Sequence, residues 1–221
     1  MIAIAIDGPA GAGKSTIARR AAMEMGYIYV DTGALYRAIG LYMLKQGINP
    51  SDSDSVVPLL KNVDISLKFR NGEQRVILCG DDVSDEIRTP EVSMAASDVS
   101  AIPKVRIFLL DLQRNIAKEN NIVMDGRDIG TVVLPEARIK IFLTASPEER
   151  AKRRYDELLE RGQNAVFEDV LNDLITRDYN DSHRAVAPLV PAETAIFVDT
   201  TGNTLEQSVK QLIQIIRDHL Q

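Results

Sequence analysis

The sequence predicts an α/β protein: a five-stranded parallel sheet with helices on both faces, a small inserted antiparallel β subdomain and a helical lid. Three observations lead there. A glycine-rich stretch, Gly8 to Ser15, lies between an apolar run and a helical pattern. Short β-branched runs then recur, each followed by residues at helical spacing, which is the signature of a parallel sheet with crossover helices. The series is interrupted once, around Asn71-Gly72, by segments that alternate polar and apolar residues.

The first strand is Ile2 to Asp7, and Thr16 to Met25 reads as the helix behind the glycines. Between them, Gly8-Pro9-Ala10-Gly11-Ala12-Gly13-Lys14-Ser15 fits Gly-x-x-x-x-Gly-Lys-Ser/Thr, the phosphate-binding P-loop. Its glycines let backbone N–H groups curl around phosphate oxygens, and the helix N-terminus adds partial positive charge. Lys14 is expected to reach the β- and γ-phosphates, and Ser15 to ligate Mg²⁺. The architecture is therefore read as a P-loop NTPase.

Tyr27 to Asp31 is the second strand, and Ala34 to Leu44 the second helix, with Gly47 as its stop. Asp54 to Asn62 reads as a short helix. Asp64 to Phe69 and Arg75 to Leu78 flank Asn71-Gly72 as a hairpin, with Asp82-Val83 opening a third short strand. The antiparallel insertion spans about 60–90. Helices follow at Pro90 to Ala101 and from Pro103, a favourable first helical residue, to about Lys118. Ile122 to Met124, Lys140 to Leu143 and Ala195 to Val198 are the remaining core strands. Pro147 to Arg161, Phe167 to Tyr179 and Leu205 to Leu220 are helical. One domain covers 1–221, with core segments 1–59, 91–146 and 182–221 and a lid at about 147–166.

Composition narrows the function classes. The 221 residues carry a net charge of −6, against general binding to nucleic acid or anionic membrane surfaces. Cys79 is the only cysteine, so neither an internal disulfide nor a cysteine metal cluster is expected. There is no apolar stretch near the ~20 residues a bilayer span needs, and no signal peptide pattern. A cytoplasmic protein, monomeric by default, is the expectation.

Chemistry-bearing residues follow the core strands, where an open α/β sheet binds its ligands. A strand-terminal Asp by itself is more often a cap or turn residue, but after a P-loop Asp125 fits the second acidic element of P-loop enzymes, holding Mg²⁺ directly or through water. Arg37, Arg106, Arg127, Arg150, Arg153, Arg154, Arg177 and Arg184 suit a site that gathers several phosphates. Arg150, Arg153, Arg154 and Arg161 share a helical stripe, which reads as a lid closing over donor phosphates. It also reads as a solvated face, since Glu149–Arg153 and Glu148–Lys152 form i,i+4 pairs. His183 and His219 are the only histidines, and neither is expected to be catalytic. The absence of an obvious general base suits a nucleoside monophosphate acceptor, whose phosphate has its second pKa near 6 and is already ionised.

Four stretches, Asp7 to Ser15, Asp31 to Arg37, Asp125 to Val133 and Arg184 to Leu189, together resemble the bacterial cytidylate kinases, nearly end to end. The resemblance implies transfer of a phosphoryl group from MgATP to CMP or dCMP. It implies an ATP site at Gly8, Pro9, Ala10, Gly11, Ala12, Gly13, Lys14, Ser15 and Thr16 with Arg150, Arg153 and Arg154. Thr32 (often Ser in the family), Arg37 and Arg127 would hold the acceptor phosphate. Ser97, Arg106 and Asp128 would read cytosine, and Arg177, Asp181 and Arg184 would lie near sugar and phosphates. Lys14, Arg127, Arg154, Arg177 and Arg184 would neutralise charge during transfer. UMP or a small metabolite as acceptor, and a slow nucleotide-dependent switch, are the alternatives. The Ser97/Arg106/Asp128 set argues against a non-nucleotide acceptor, and the arginine-rich lid argues against a switch.

Overall fold

The computed structural model describes residues 1–70, 73–160 and 162–220. The expected turn at Asn71-Gly72, and Arg161 of the arginine stripe, lie outside the described residues. In chain order the elements are β1 (Ala3–Asp7), α1 (Lys14–Met25), β2 (Ile28–Asp31), α2 (Thr32–Lys45), α3 (Ser53–Leu59), β3 (Ile65–Arg70), β4 (Glu73–Leu78) and β5 (Asp81–Asp82). They continue with α4 (Pro90–Ser100), α5 (Pro103–Glu119), β6 (Ile122–Gly126), β7 (Ile139–Thr144), α6 (Pro147–Glu160), α7 (Phe167–His183), β8 (Ile196–Asp199) and α8 (Leu205–Leu220).

Five strands form a parallel sheet in the order β2-β6-β1-β7-β8, and β3-β4-β5 form a separate antiparallel sheet. The central strands β1 and β6 are buried on both faces, which is why Ile4-Ala5-Ile6 and Ile122-Val123-Met124 read as unbroken apolar runs. One face packs Ile4, Ile6 and Ile17 against Val209, Leu212 and Ile216 of α8; the other packs Ala5, Val30 and Met124 against Ile129 and Val133. Each fully buried Ile or Leu contributes ~1.5–3 kcal/mol. The antiparallel sheet is anchored to the same body, because Val76, Leu78 and Val83 join Leu35 and Ile39 in one cluster.

The close approach of α2 to α4 brings two walls of the site together. A Cβ on Gly40 would lie 3.0 Å from Ala95 and Ala96, so a hydrogen there lets the helices meet. No helix among the described residues is long and apolar enough to cross a membrane.

Three elements depart from the sequence reading. α2 begins at Thr32, not Ala34, because the Asp31 carboxylate accepts the Ala34 N–H at 3.1 Å and caps it. α7 runs four residues past Tyr179, so Arg177 and Asp181 share a helix that ends against Arg184. Ile129–Val133 forms a single π-helical turn that no local pattern announces. Its partners are distant in sequence: Asp7 accepts the N–H groups of Ile129 (2.7 Å) and Gly130 (2.8 Å), and Arg114 donates to the carbonyls of Val132 and Val133.

Candidate active site

The P-loop follows β1 directly. Gly8 takes φ 150°, and a Cβ there would sit 2.0 Å from the Leu143 carbonyl oxygen, so β7 admits no side chain at that position. The loop's outer side is held by α6 and α7. Arg150 is 4 % exposed; it donates to the carbonyls of Ala10 (2.9 Å) and Ala145 (3.0 Å) and pairs with Asp178 at 2.6 Å. Arg153 donates to Ala12 O at 3.2 Å and to Thr200, and Ala10 packs with Ala151, Leu158, Val170 and Leu174.

Lys14 is buried, and its Nζ donates to Pro9 O at 2.7 Å. Burial first, and then the Arg127 charge, pull its pKa down to about 7. Behind it, Asp125 accepts from Ser15 Oγ at 3.0 Å and from Tyr29 Oη at 2.8 Å; burial, then the Asp31 charge, raise its pKa to about 6. Ser15 and Asp125 are hard oxygen donors, and a cation beside them would relieve the cost of that buried carboxylate. Among the described residues no group of three or more His, Cys, Asp or Glu could hold a metal. A Mg²⁺ here would draw its other ligands from phosphates and water, its usual habit.

In front of the loop lies a cleft of about 800 Å³. Its lining joins Ala10 to Thr16 with Thr32, Arg37, Ser97, Arg106, Asp125, Arg127, Asp128, Arg153, Arg154, Arg177, Asp181 and Arg184. Of the residues expected in the site, Gly8, Pro9 and Arg150 do not line it. For Arg150 this corrects the expectation of a lid arginine facing the donor phosphates: its guanidinium is spent on the loop's carbonyls and on Asp178. The Thr32 hydroxyl, expected on the acceptor phosphate, donates to Asp125 O at 2.8 Å and so ties α2 to β6.

Away from the P-loop the cleft wall is an alternating set of acids and arginines. Arg37 pairs with Asp31 at 2.6 Å, Arg127 with Asp181 at 2.7 Å, and Arg106 with Asp128. Arg106 also donates to Ser100 O at 3.1 Å and lies 5.4 Å above the Tyr36 ring. Arg184 stands between Asp128 (3.7 Å) and Asp181 (3.9 Å), too far for hydrogen bonds, while its Nε donates to Ala187 O. Among the described residues, three buried guanidinium nitrogens, Nε of Arg37, Nε of Arg177 and Nη2 of Arg184, have no hydrogen-bond partner. Burial, then Arg127, lower the Arg177 pKa to about 10; burial, then Arg106, lower that of Arg184. A site that keeps cations buried, crowded and incompletely bonded is completed by an anion.

A family model described as cytidylate kinase matches residues 4–218. The chain belongs to the cytidylate kinase family. Cytidylate kinase of Caldicellulosiruptor bescii is 50% identical over 214 residues, 97% of this chain and 95% of that one. Cytidylate kinase of Caldanaerobacter subterraneus subsp. tengcongensis is 52% identical over 216 residues, 98% and 95% of the two chains. A solved structure of an uncharacterized protein from Eubacterium ventriosum has a TM-score of 0.55 at 13% identity, covering 98% of this chain and 99% of that one, which speaks to the fold alone. Cytidylate kinases are nucleoside monophosphate kinases, and ATP is their phosphoryl donor.

This member of the cytidylate kinase family also lines its cleft with residues the sequence reading passed over. Tyr36, Arg88 and Ser93 face it beside Arg37 and Ser97. Tyr36 lies one helical turn after Thr32 on the same face of α2, and could have been found by that spacing. Arg88 comes from the turn before α4, and no local signal marks it. Tyr29, read as a strand residue, turns its hydroxyl onto Asp125.

Proposed function

We propose that the chain transfers the γ-phosphoryl group of MgATP to CMP or dCMP, as a monomer whose one cleft supplies both the donor and the acceptor wall. The observation that carries the reading is the trio of under-bonded arginine nitrogens opposite a P-loop lysine, beside the Arg106–Asp128 pair. Ala10 to Thr16 cradle the donor phosphates, with Lys14 and Ser15 at the transferred end and Arg153 and Arg154 bordering the cleft from α6. Ser15 and Asp125 would hold Mg²⁺, which would supply charge neutralisation at the donor phosphates.

Arg37, Arg127, Arg177 and Arg184 gather the acceptor phosphate. Its attacking oxygen is ionised near neutral pH, so these residues position and neutralise and do not abstract a proton. Asp181, already bonded to Arg127, faces the sugar. Asp128 accepts from the cytosine N4 amino group while Arg106 and Ser97 address the rest of that edge. Uracil would set a carbonyl oxygen against Asp128, and an unpaired buried polar group costs about 1–3 kcal/mol, or roughly ten- to hundredfold in preference.

The test is a coupled ADP-release assay with MgATP and CMP, dCMP, UMP or AMP in parallel. Fast turnover with CMP and dCMP and weak turnover with UMP and AMP is expected. Asp128→Ala should erase the CMP-over-UMP preference while leaving the KM for ATP within about twofold. Equal loss toward ATP and CMP would remove Asp128 from the base-reading role.

A further inference from the structure

The antiparallel sheet meets the cleft end of β2 through Gln74. Gln74, on β4 opposite Phe69, is half-buried and lies against the end of β2. Its Oε1 accepts the Asp31 N–H at 2.8 Å, and its Nε2 donates to Asp31 O at 3.1 Å. β2 is an outer strand of the parallel sheet. A single carboxamide therefore completes, on the free edge, the pairing that a neighbouring strand's backbone would otherwise give.

The residue it grips is a junction. Asp31 Oδ1 caps α2 through Ala34 N–H, and Asp31 Oδ2 holds Arg37 Nη2 at 2.6 Å. Arg37 lines the cleft with its Nε unbonded. Arg88, on the same insertion as Gln74, lines the cleft too; burial pushes the Asp31 carboxyl pKa up, but Arg37, then the Ala34 N–H and Arg88, hold it below its ordinary value. Gln74 thus ties the strand end whose Asp31 holds Arg37 to the insertion that carries Arg88. The insertion does not need Gln74 to stay folded, because Val76, Leu78 and Val83 already bury against Leu35 and Ile39.

We propose that Gln74 is a positioning residue for acceptor binding: it sets Asp31, and through Asp31 the Arg37 guanidinium, in register with the insertion. The inference rests on the assignment of Arg37 to the acceptor phosphate. Gln74→Leu should raise the KM for CMP roughly five- to twentyfold, the loss of two hydrogen bonds read through binding. The KM for ATP should stay within about twofold. Gln74→Glu keeps the size and the acceptor but loses the donor to Asp31 O, and it should raise the CMP KM as well, which covers a Leu variant that folds poorly.

The deciding readout is a double-mutant cycle with Arg37→Ala, because a residue acting only on general stability would add its effect in either background. In the Arg37→Ala background, Gln74→Leu should change the CMP KM by less than twofold. Equal effects in both backgrounds, or a parallel rise in the KM for ATP, would overturn the role of Gln74 while leaving Arg37 assigned. If Arg37→Ala itself leaves the CMP KM unchanged, the acceptor-phosphate assignment fails and the inference fails with it.

Discussion

The two halves of the cleft are built on opposite principles. On the P-loop side nearly every charged group is already bonded to protein: Lys14 to Pro9 O, Arg150 to Ala10 O and Ala145 O, Arg153 to Ala12 O and Thr200. Across the cleft, Arg37, Arg177 and Arg184 each keep a buried nitrogen without a partner among the described residues. The difference follows from what each half must hold. Backbone N–H groups bind phosphate only if the loop is kept curled, so side chains are used up in bracing it. On the proposed reading the far side binds with guanidinium groups directly, which leaves them unfinished until an anion arrives.

The comparison breaks or sharpens under four measurements. The largest effect is expected at Lys14, the cation that the P-loop itself carries. Lys14→Ala should lower kcat/KM by roughly 10²–10³-fold, the scale of losing one group that stabilises transition-state charge. A loss under tenfold would mean that the backbone cradle carries the donor half by itself. Next is Arg177, where activity and stability should part. Arg177→Met should cut kcat roughly 10- to 100-fold yet leave the melting temperature unchanged or higher without ligand, because it removes a crowded buried cation. A clear drop in melting temperature would show that Arg177 is braced like the P-loop arginines.

Arg150→Met tests the other half in the reverse sense. Breaking a buried ion pair costs ~3–5 kcal/mol at most, and the partly exposed Asp178 brings this nearer 2 kcal/mol. At this chain length that is roughly a 4–8 °C fall in melting temperature. The KM for ATP should rise more than that for CMP; a CMP-selective rise would place Arg150 on the wrong half. The last effect is one of slope. Burial raises the Asp7 pKa from 3.8 to about 6, so its charged form is disfavoured in the fold. Its stability contribution is present below pH ~4 and is lost as pH rises through ~6, by at most about 1.4 kcal/mol per pH unit. Since Asp125 shifts the same way, the informative quantity is the difference between wild type and Asp7→Asn, measured by thermal melts from pH 4 to 7. A difference that grows as the pH falls supports the assignment, and a flat one removes Asp7 from the account.

Much of the fold and site could be read before any coordinates because the information was local. The P-loop spacing, the unbroken Ile/Val runs and the hairpin alternation each lie within a dozen residues and have direct physical readings. The residues expected to face cytosine and phosphates came from the resemblance carried by four stretches taken together, and all but Gly8, Pro9 and Arg150 line the cleft. What stayed hidden was long-range. The helical stripe gave Arg150 and Arg153 the same status, yet one is buried against Asp178 and the other edges the cleft. Nothing near Ile129 foretells a π turn whose amides are taken by Asp7, more than a hundred residues earlier.

By itself, then, the chain's pattern of residues determined the layered α/β architecture, the phosphate loop and the set of groups available to a nucleotide. Periodicity and motif spacing act over a few residues, where backbone geometry alone decides the outcome. The tertiary structure decided which of those groups remain free to bind. Whether an arginine ends on a carbonyl, on a carboxylate or facing the cleft depends on which elements pack around it. Gln74 against Asp31, and Tyr29 against Asp125, are pairings that only the folded chain brings within reach.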